Sequence, residues 1–344
     1  MNNRDPNSTQ DRPLVTFAII AFNQEAYIRE AIEGALSQSY SPLEIIISDD
    51  CSSDRTYQII CEMAESYQGD HIVRTHQPKQ NLGVGEHVNR IGELANGEFV
   101  LLAGGDDISD STRTSRLVDC WLDSGRQACS VYSNMSIIDG QGNETKPLYN
   151  TQGKGVHARS LEDILERETA GLYGCTQGVD RRVFSQFQPM PKEVLHEDEV
   201  LPFRALLLGR VEYVDEPLVQ YRRHDSNVWG GGFEVDSLAA AKRLTKKRLG
   251  QQLGRLRSWC RDLKDAPNRT PELDSFIPRF EQLLLFKEQE VIMNQRNIFS
   301  ALATTAKNVL CGKGCRQSWA ILRRSHLFPL WITFRSKVTG SVSE

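Results

Sequence analysis

The feature that most constrains this chain is a short apolar strand that ends in a run of carboxylates. Ile45-Ile46-Ile47 is followed by Asp49-Asp50 and Asp54, and a helical pattern begins at Thr56. This pattern is typical of a buried parallel strand whose carboxyl end delivers acids into a cleft. Because ligands of open α/β sheets bind beyond the carboxyl ends of strands, we expect the chemistry here, with a second acidic strand end facing it.

That second acidic end is Gly104-Gly105-Asp106-Asp107, directly after another apolar run. The first strand–helix–strand spacing is a βαβ unit, which requires a parallel sheet and predicts the α/β class. Residue periodicity predicts strands at 14–21, 43–48, 72–76, 98–103 and 128–135, edge strands at 211–213 and 218–221, and helices at 27–36, 56–67, 86–94, 111–122, 161–168 and 200–208.

The length of 344 residues suits one large domain with an appendage. We expect a disordered segment at 1–12, the main domain at 13–232 and a helical extension at 233–344 after the glycine run 230–232. Helical patterns in that extension cover 238–263, 280–292 and 299–310. The net charge of −4 gives no indication of a nucleic-acid partner.

No secretion signal and no apolar run of the roughly 18–20 residues that span a bilayer is visible in the sequence. The eight cysteines lack framework spacing, which favours a reducing cytoplasm. Cys311, Cys315 and His326 have no fourth ligand at a usual spacing for zinc, so we interpret these cysteines as ordinary thiols.

The extension is basic. Residues 236–264 hold nine Lys/Arg against two Asp, and residues 313–337 hold six Lys/Arg and no acid. Mixed with aromatics, segment 313–338 has two interpretations: peripheral contact with the inner face of the cell membrane, or a helix packed on its own domain. The helix from Leu238 could equally form the surface of a homodimer.

Two acidic strand ends predict a site for a metal and a diphosphate. Carboxylates alone repel a diphosphate, whereas a bridging Mg²⁺ or Mn²⁺ reverses the local field and accepts oxygen ligands. Asp107 is the favoured ligand. The alternative for Asp106-Asp107 is a helix N-cap, and the pairing with Asp49-Asp50 argues against that alternative.

Several motifs, in this order, resemble the nucleotide-binding half of a family 2 glycosyltransferase with the GT-A fold. The resemblance covers 13–134, continues less tightly to Asn227, and is absent beyond Gly232. The motifs that carry it are Phe17-Ala18-Ile19-Ile20-Ala21-Phe22-Asn23-Gln24-Glu25, Leu36-Ser37-Gln38-Ser39-Tyr40, Asp49-Asp50-Cys51-Ser52-Ser53-Asp54-Arg55-Thr56, Asn81-Leu82-Gly83, Gly97-Glu98-Phe99-Val100 and Gly104-Gly105-Asp106-Asp107.

The resemblance implies a GT-A-type, Rossmann-like, mostly parallel sheet flanked by helices, with an acceptor half at 135–232. It implies that Asp107 holds the metal. His224 lies in a stretch that resembles a loop closing over the diphosphate and would contact the phosphate or the metal; the alternative is a solvated loop. The chain departs from the family at Gly104, where an acid is common, so metal dependence is in question there. The residues that the resemblance implies for the nucleotide-sugar are Ala21, Asn23, Glu25, Asp50, Ser52, Asn81, Gly83, Asp106 and Arg222.

Displacing a nucleoside diphosphate with inversion needs a carboxylate that takes the proton of the acceptor hydroxyl. His196-Glu197-Asp198, opening a helix, matches the family's acidic segment; we expect Asp198, with Glu197 next, to be that base. The alternative is that these acids only favour a helix N-terminus electrostatically.

The favoured function is an inverting, metal-dependent glycosyltransferase. It would move a sugar from a nucleotide-diphospho-sugar, a UDP-sugar first, to a saccharide or lipid-linked acceptor in bacterial surface polysaccharide biosynthesis. The alternative is a non-catalytic nucleotide-sugar-binding or assembly protein with a partner-recruiting helical tail. A nucleotidyltransferase would need a glycine-rich, lysine-bearing loop, which residues 22–25 lack.

Overall fold

The computed structural model describes residues 12–150, 157–225, 227 and 238–295. The predicted N-terminal segment up to residue 11, the glycine run, the helix 299–310, the 311/315/326 cluster and the tail 313–338 lie outside these residues. The strands are β1 Val15–Ala21, β2 Leu43–Asp49, β3 Ile72–His76, β4 Phe99–Gly104, β5 Ile108–Ser109, β6 Ala128–Ile138, β7 Glu144–Lys146, β8 Gln177–Asp180 and β9 Arg210–Arg222. The helices are α1 Ile28–Leu36, α2 Thr56–Ser66, α3 Val84–Leu94, α4 Arg113–Asp123, α5 Leu161–Arg167, α6 Arg182–Ser185, α7 Glu197–Leu208, α8 Leu238–Lys264 and α9 Pro271–Gln295.

The first half of the chain forms the predicted parallel sheet, in the order β3-β2-β1-β4. β1 is the central strand, because it pairs with β2 on one side and β4 on the other. Both strands beside it end in acids, so the two acidic runs reach the same edge of the sheet. The α/β class predicted from periodicity is therefore confirmed.

The second half extends the sheet with mixed pairing in the order β4-β8-β6-β9-β5. The predicted edge strands 211–213 and 218–221 are wrong in one respect, because they form the single strand β9, which pairs with both β6 and β5. The proline at 217 suggests a turn in the sequence, but the ladder with β6 shifts register there and continues. The turn at 139–143 joins β6 to the antiparallel β7.

Helices cover both faces of the sheet. Along β1, the side chains of Val15, Phe17 and Ile19 face one core, and Ala18 faces the other. The first core is closed by α1, α2 and α4, and the second by α3, α6 and α7. This burial on both faces explains why β1 and β2 are continuous apolar runs, as parallel strands require.

The chain divides into two compact units, one of residues 1–234 with 254–280, the other of 235–253 with 281–344. The end of α8 therefore groups with the sheet, whereas the boundary at 232/233 stays a prediction. In the second unit the described residues belong to α8 and α9, in keeping with the predicted helical extension. Within the described part of the chain, no helix has both the length and the apolar content to cross a membrane.

A buried ion pair fastens the end of α8 to α7. Arg204 Nε donates to Asp262 Oδ2 at 2.7 Å, and the two side chains are 1% and 0% exposed. The same guanidinium donates to the carbonyls of Val183 and Gln188. Removing one partner of such a pair leaves an uncompensated charge in the interior.

We expect Asp262→Ala to lower the free energy of unfolding by about 3–5 kcal/mol, because Arg204 loses its buried counter-charge. Urea denaturation would measure the loss. Asp274→Ala is the control: its pair with Arg269 is half exposed, so its effect should stay below about 1 kcal/mol. Equal losses in the two variants would contradict the structural importance of the buried pair.

Candidate active site

The end of β1 fixes both acidic runs by backbone hydrogen bonds. The Asp50 N–H donates to the Ala21 carbonyl at 2.8 Å, and the Gly105 N–H donates to the Ile20 carbonyl at 3.0 Å. Neighbouring strands are about 4.8 Å apart, so the acids of β2 and β4 lie on either side of one strand. The two acidic runs therefore lie next to each other at the carboxyl end of β1, where the sequence predicts the cleft.

The loops after β1 and β2 are tied to each other. The Asn23 N–H donates to Ser52 Oγ at 2.8 Å, and Asn23 Oδ1 accepts from the Ser53 N–H at 2.9 Å. Glu25 Oε2 accepts from the Arg55 N–H at 2.9 Å. The structure therefore brings the predicted residues Ala21, Asn23, Glu25 and Ser52 together at the end of β1.

Asp50 binds the loop that precedes α3. Its two carboxylate oxygens accept the N–H groups of Leu82 and Gly83 at 2.8 and 2.9 Å, and Asn81 Nδ2 donates to its carbonyl at 3.0 Å. Gly83 has φ +79°, a conformation that favours glycine. Each carboxylate oxygen retains a lone pair, so the predicted contact of Asp50 with a base or ribose stays a prediction.

Asp106 lies against the loop after β9. His224 Nε2 donates to Asp106 Oδ2 at 3.0 Å, and Asn227 Nδ2 donates to the same oxygen at 3.3 Å. The His224 ring packs on Tyr27, with 4.5 Å between ring centroids. The structure therefore brings two residues predicted for donor and metal into direct contact, although they are far apart in sequence.

Asp107 is more deeply buried than Asp106, with only 4% of its surface exposed. Its Oδ1 accepts a hydrogen bond from the Arg222 N–H at 2.9 Å, and its carboxylate also forms a hydrogen bond with the Cys175 thiol. Burial, followed by the charge of Asp106, raises the pKa of Asp107 to about 8, although Arg113 acts in the opposite direction. A nearby cation would favour the ionised form of this carboxyl group and lower its pKa.

Arg222 is a structural anchor in this structure. Its guanidinium, with the side chain 1% exposed, donates to the Asp106 carbonyl at 2.9 Å and pairs with Glu30 at 2.8 Å. It also stacks on Tyr27. Direct contact with a phosphate would require these bonds to break, so that role for Arg222 stays a prediction.

Gly104, where the family often has an acid, lies directly under the carboxylate pair. A Cβ on Gly104 would be 2.8 Å from Asp106 Oδ1 and 2.9 Å from Asp107 Oδ2. Any side chain at this position would therefore displace one of the two acids. Gly104 therefore lets both carboxylates occupy their present positions.

The turn Gly174–Thr176 joins the carboxylate pair to the predicted base. Cys175 bonds with Asp107, while a Cβ on Gly174 would overlap Glu197 Oε1 and lie 3.5 Å from the Cβ of Asp198. The structure thus brings the start of α7 close to the two acidic strand ends. The Asp198 side chain remains 25% exposed.

Both predicted bases have raised pKa values. Burial raises the pKa of Glu197 to about 7. Burial, then the charges of Glu197 and Glu199, raise the pKa of Asp198 well above its usual range, and Arg255 opposes this shift. Burial and Arg255 lower the pKa of His196 to about 4, so this imidazole, 3.9 Å from Asp198, is neutral at pH 7.

The donor set fits a hard divalent cation. Asp106 and Asp107 offer carboxylate oxygens, and His224 would add an imidazole nitrogen only by giving up its bond to Asp106. No group of three or more His, Cys, Asp or Glu side chains that could hold a metal occurs among the residues described. Such a small protein set is usual for Mg²⁺ and related ions, which keep positions for water and phosphate.

Sequence reasoning did not predict that two further residues contact or act on Asp107. Arg113 is fully buried on α4 and donates to the Leu102 carbonyl at 2.7 Å, where its charge acts on Asp107. The Cys175 thiol bonds with Asp107. No local pattern marks either residue, because an arginine on a polar helix and an isolated cysteine are usually ordinary surface or core residues.

Comparison with known proteins agrees with this arrangement. Residues 16–187, half of the chain, match the sequence model of the family described as Glycosyl transferase family 2. The chain is 29% identical over 219 residues to an uncharacterised protein of Mycobacterium tuberculosis, covering 62% of this chain and 60% of that protein. It is 26% identical over 225 residues to a putative teichuronic acid biosynthesis glycosyltransferase of Bacillus subtilis, covering 64% and 83%.

Solved structures share the fold. S. aureus TarS 1-349 in complex with UDP superposes with a TM-score of 0.53 at 16% identity, covering 85% of this chain and 78% of that chain. A mannosyltransferase from Pyrobaculum calidifontis in complex with GDP-Man and Mn²⁺ gives 0.52 at 16% identity, covering 96% and 84%. The predicted GT-A-type fold is confirmed. The chain spans about 60% of the length of the mycobacterial relatives.

We expect the stability of the wild type, measured relative to that of Glu197→Gln, to fall as pH rises from about 4.5 to 7. The pKa of Glu197 is about 7 when folded against 4.5 for the ordinary side chain, so in this window the folded state holds the proton that the unfolded state has lost. Urea denaturation across this pH range measures the effect. Glu193→Gln, at an exposed position, should keep the wild-type slope. Equal slopes in wild type and Glu197→Gln would refute the burial argument.

Proposed function

The chain belongs to glycosyl transferase family 2, and we propose that it is an inverting, metal-dependent glycosyltransferase. The donor is a nucleotide-diphospho-sugar, with a UDP-sugar the first candidate, and the acceptor is a saccharide or a lipid-linked saccharide. The observation that carries the proposal is the turn Gly174–Thr176, which contacts Asp107 on one side and Glu197 with Asp198 on the other.

On the donor side, the residues at two strand ends have different roles: one group binds the nucleoside and the other binds the cation. The loops that hold Asn23, Ser52 and Asp50 form a polar wall for the nucleoside. Asp106, Asp107 and His224 would hold Mn²⁺ or Mg²⁺, which when bound stabilises the negative charge of the leaving diphosphate. Fold neighbours bound to UDP and to GDP-Man with Mn²⁺ support this assignment of the donor class.

On the acceptor side, the start of α7 supplies the base. The Asp198 side chain is 25% exposed and so can meet a hydroxyl, and its raised pKa makes its carboxylate a stronger base than an ordinary aspartate. As the acceptor oxygen attacks the anomeric carbon, its proton passes to the Asp198 carboxylate and the diphosphate leaves from the opposite face. Glu197 packs against Gly174 and would hold the first turn of α7 in its orientation.

The proposed biological role is supported by a relative. The Bacillus subtilis relative is named as a putative teichuronic acid biosynthesis glycosyltransferase, and this supports a role in bacterial surface polysaccharide synthesis. A cytoplasmic location, contact of 313–338 with the membrane and a homodimer through α8 stay predictions. The alternative suggested by Gly104, a non-catalytic protein, has less support, because relatives are named as glycosyltransferases.

We expect Asp107→Asn to weaken UDP binding in the presence of Mn²⁺ by at least roughly tenfold, because the cation loses a charged ligand. Titration calorimetry with UDP, with and without Mn²⁺, is the measurement. Asp123→Asn, an exposed acid on α4, should bind UDP as the wild type does. If Asp107→Asn retains the full enhancement by Mn²⁺, the metal assignment is wrong.

We expect Asp198→Asn to lower kcat by about 10²–10⁴-fold and to leave UDP affinity unchanged, because only the proton acceptor is lost. The assay is nucleoside diphosphate release from UDP-glucose, UDP-N-acetylglucosamine or GDP-mannose with a panel of alkyl glycosides. Glu193→Gln is the matched control. Absence of turnover by the wild type across the panel, or full activity of Asp198→Asn, would count against the proposed function.

A further inference from the structure

The third acid at the start of α7, Glu199, differs from Glu197 and Asp198 in its surroundings. Its carboxylate accepts hydrogen bonds from the Thr169 hydroxyl and the Ala170 N–H, and its side chain is only 12% exposed. Glu199 thereby fastens the first turn of α7 to the segment that leads into the turn Gly174–Thr176. The proposed base precedes it by one residue, so the orientation of Asp198 depends on this attachment.

Two residues near the end of α8 hold Glu199 from the other side. Arg255 Nη1 lies 3.5 Å from Glu199 Oε1, and Trp259 Nε1 donates to the Glu199 carbonyl at 2.9 Å. Positions four apart share a helix face. One face of α8 therefore contacts the side chain of Glu199 through Arg255 and its backbone through Trp259. Arg255 also lies 4.8 Å over the Trp259 ring.

Arg255 is itself held in place. Its Nη2 donates to the Glu168 carbonyl at 2.7 Å, and its side chain is 10% exposed. Trp259 is completely buried and packs against Phe203 of α7 and Phe280 of α9. The guanidinium is therefore a fixed charge rather than a solvated one, and fixed charges act strongly on buried neighbours.

The charges that face Asp198 come from two helices. On its own helix, Glu197 and Glu199 disfavour ionisation of Asp198, and His196 just before the helix is neutral. Arg255 from α8 supplies the opposing positive charge. A general base must be ionised before it can accept a proton, so this cation acts in the direction that the reaction requires.

We propose that Arg255 is a positioning residue for the transfer reaction: through Glu199 it fixes the first turn of α7 and directs the Asp198 carboxylate toward the acceptor. Trp259 supports it from the same helix face. This inference rests on the proposed function of Asp198. It gives the end of α8, for which the family resemblance offered no role, a place in the active site.

The test compares Arg255→Met, Arg255→Lys and Trp259→Phe with the wild type. We expect Arg255→Met to lower kcat about tenfold or more, to move the acidic limb of the pH–rate profile to higher pH, and to leave the Kd for UDP with Mn²⁺ unchanged. Arg255→Lys keeps the charge and should restore part of the rate and most of the pH profile. Arg257→Met, at an exposed position on the same helix, is the control and should match the wild type.

A second readout does not depend on turnover. Loss of Arg255 raises the folded-state pKa of Asp198 further, so the fall in stability with rising pH should continue to a higher pH in Arg255→Met than in the wild type. In an Asp198→Asn background this extension should be lost, and only the smaller change that comes from His196 should remain. Trp259→Phe removes the indole N–H and one ring but keeps an aromatic side chain against Phe203 and Phe280, so it tests the attachment if Arg255→Met does not fold.

Wild-type kcat and pH profile in both Arg255→Met and Trp259→Phe would overturn the inference, as would equal losses of kcat and UDP affinity, which indicate a general structural defect. The outcomes separate the two proposals. Full activity of Asp198→Asn refutes the proposed base itself. An inactive Asp198→Asn together with a normal Arg255→Met refutes only the role of Arg255.

Discussion

The active site depends on the carboxyl end of β1. The carbonyls of two adjacent residues, Ile20 and Ala21, accept the N–H groups of Gly105 and Asp50. Carbonyls at the end of a parallel strand point toward both neighbours, so one strand fixes the backbone that carries the acids of β2 and of β4. The loops around Asn23 and Ser52 and the carboxylate pair are positioned relative to this end, and they would separate without it.

Beyond that edge of the sheet, several acidic side chains lie close together and are largely buried, which is unfavourable for their ionised forms. Asp107 lies beside Asp106, and Asp198 lies between Glu197 and Glu199, with burial raising the pKa values of Asp107, Glu197 and Asp198. The buried Arg113 and Arg255 offset part of this repulsion from α4 and α8. Buried acids with perturbed pKa values are costly for stability and cluster at functional sites, and here they lie where a diphosphate and a proton would be handled.

Glycines set the distances in this site as much as acids do. Gly104 leaves space under Asp106 and Asp107, and Gly174 leaves space for Glu197. The turn at Gly174 is the connection between the two halves, because its next residue, Cys175, bonds with Asp107. A larger side chain at either glycine would move a carboxylate. The positions of these acids therefore depend on the absence of side chains at Gly104 and Gly174.

The sequence by itself determined the α/β class, the alternation of strands and helices through α4, and the two acidic strand ends, because local periodicity and strand-end composition are properties of neighbouring residues. It also indicated the acidic start of α7. Only the tertiary structure decided that β9 is one strand inside the sheet, that Arg222 is buried rather than presented to the cleft, and that Arg113, Cys175 and Arg255 reach the acids. These contacts join residues far apart in the chain, and they depend on how strands and helices pack rather than on any local pattern.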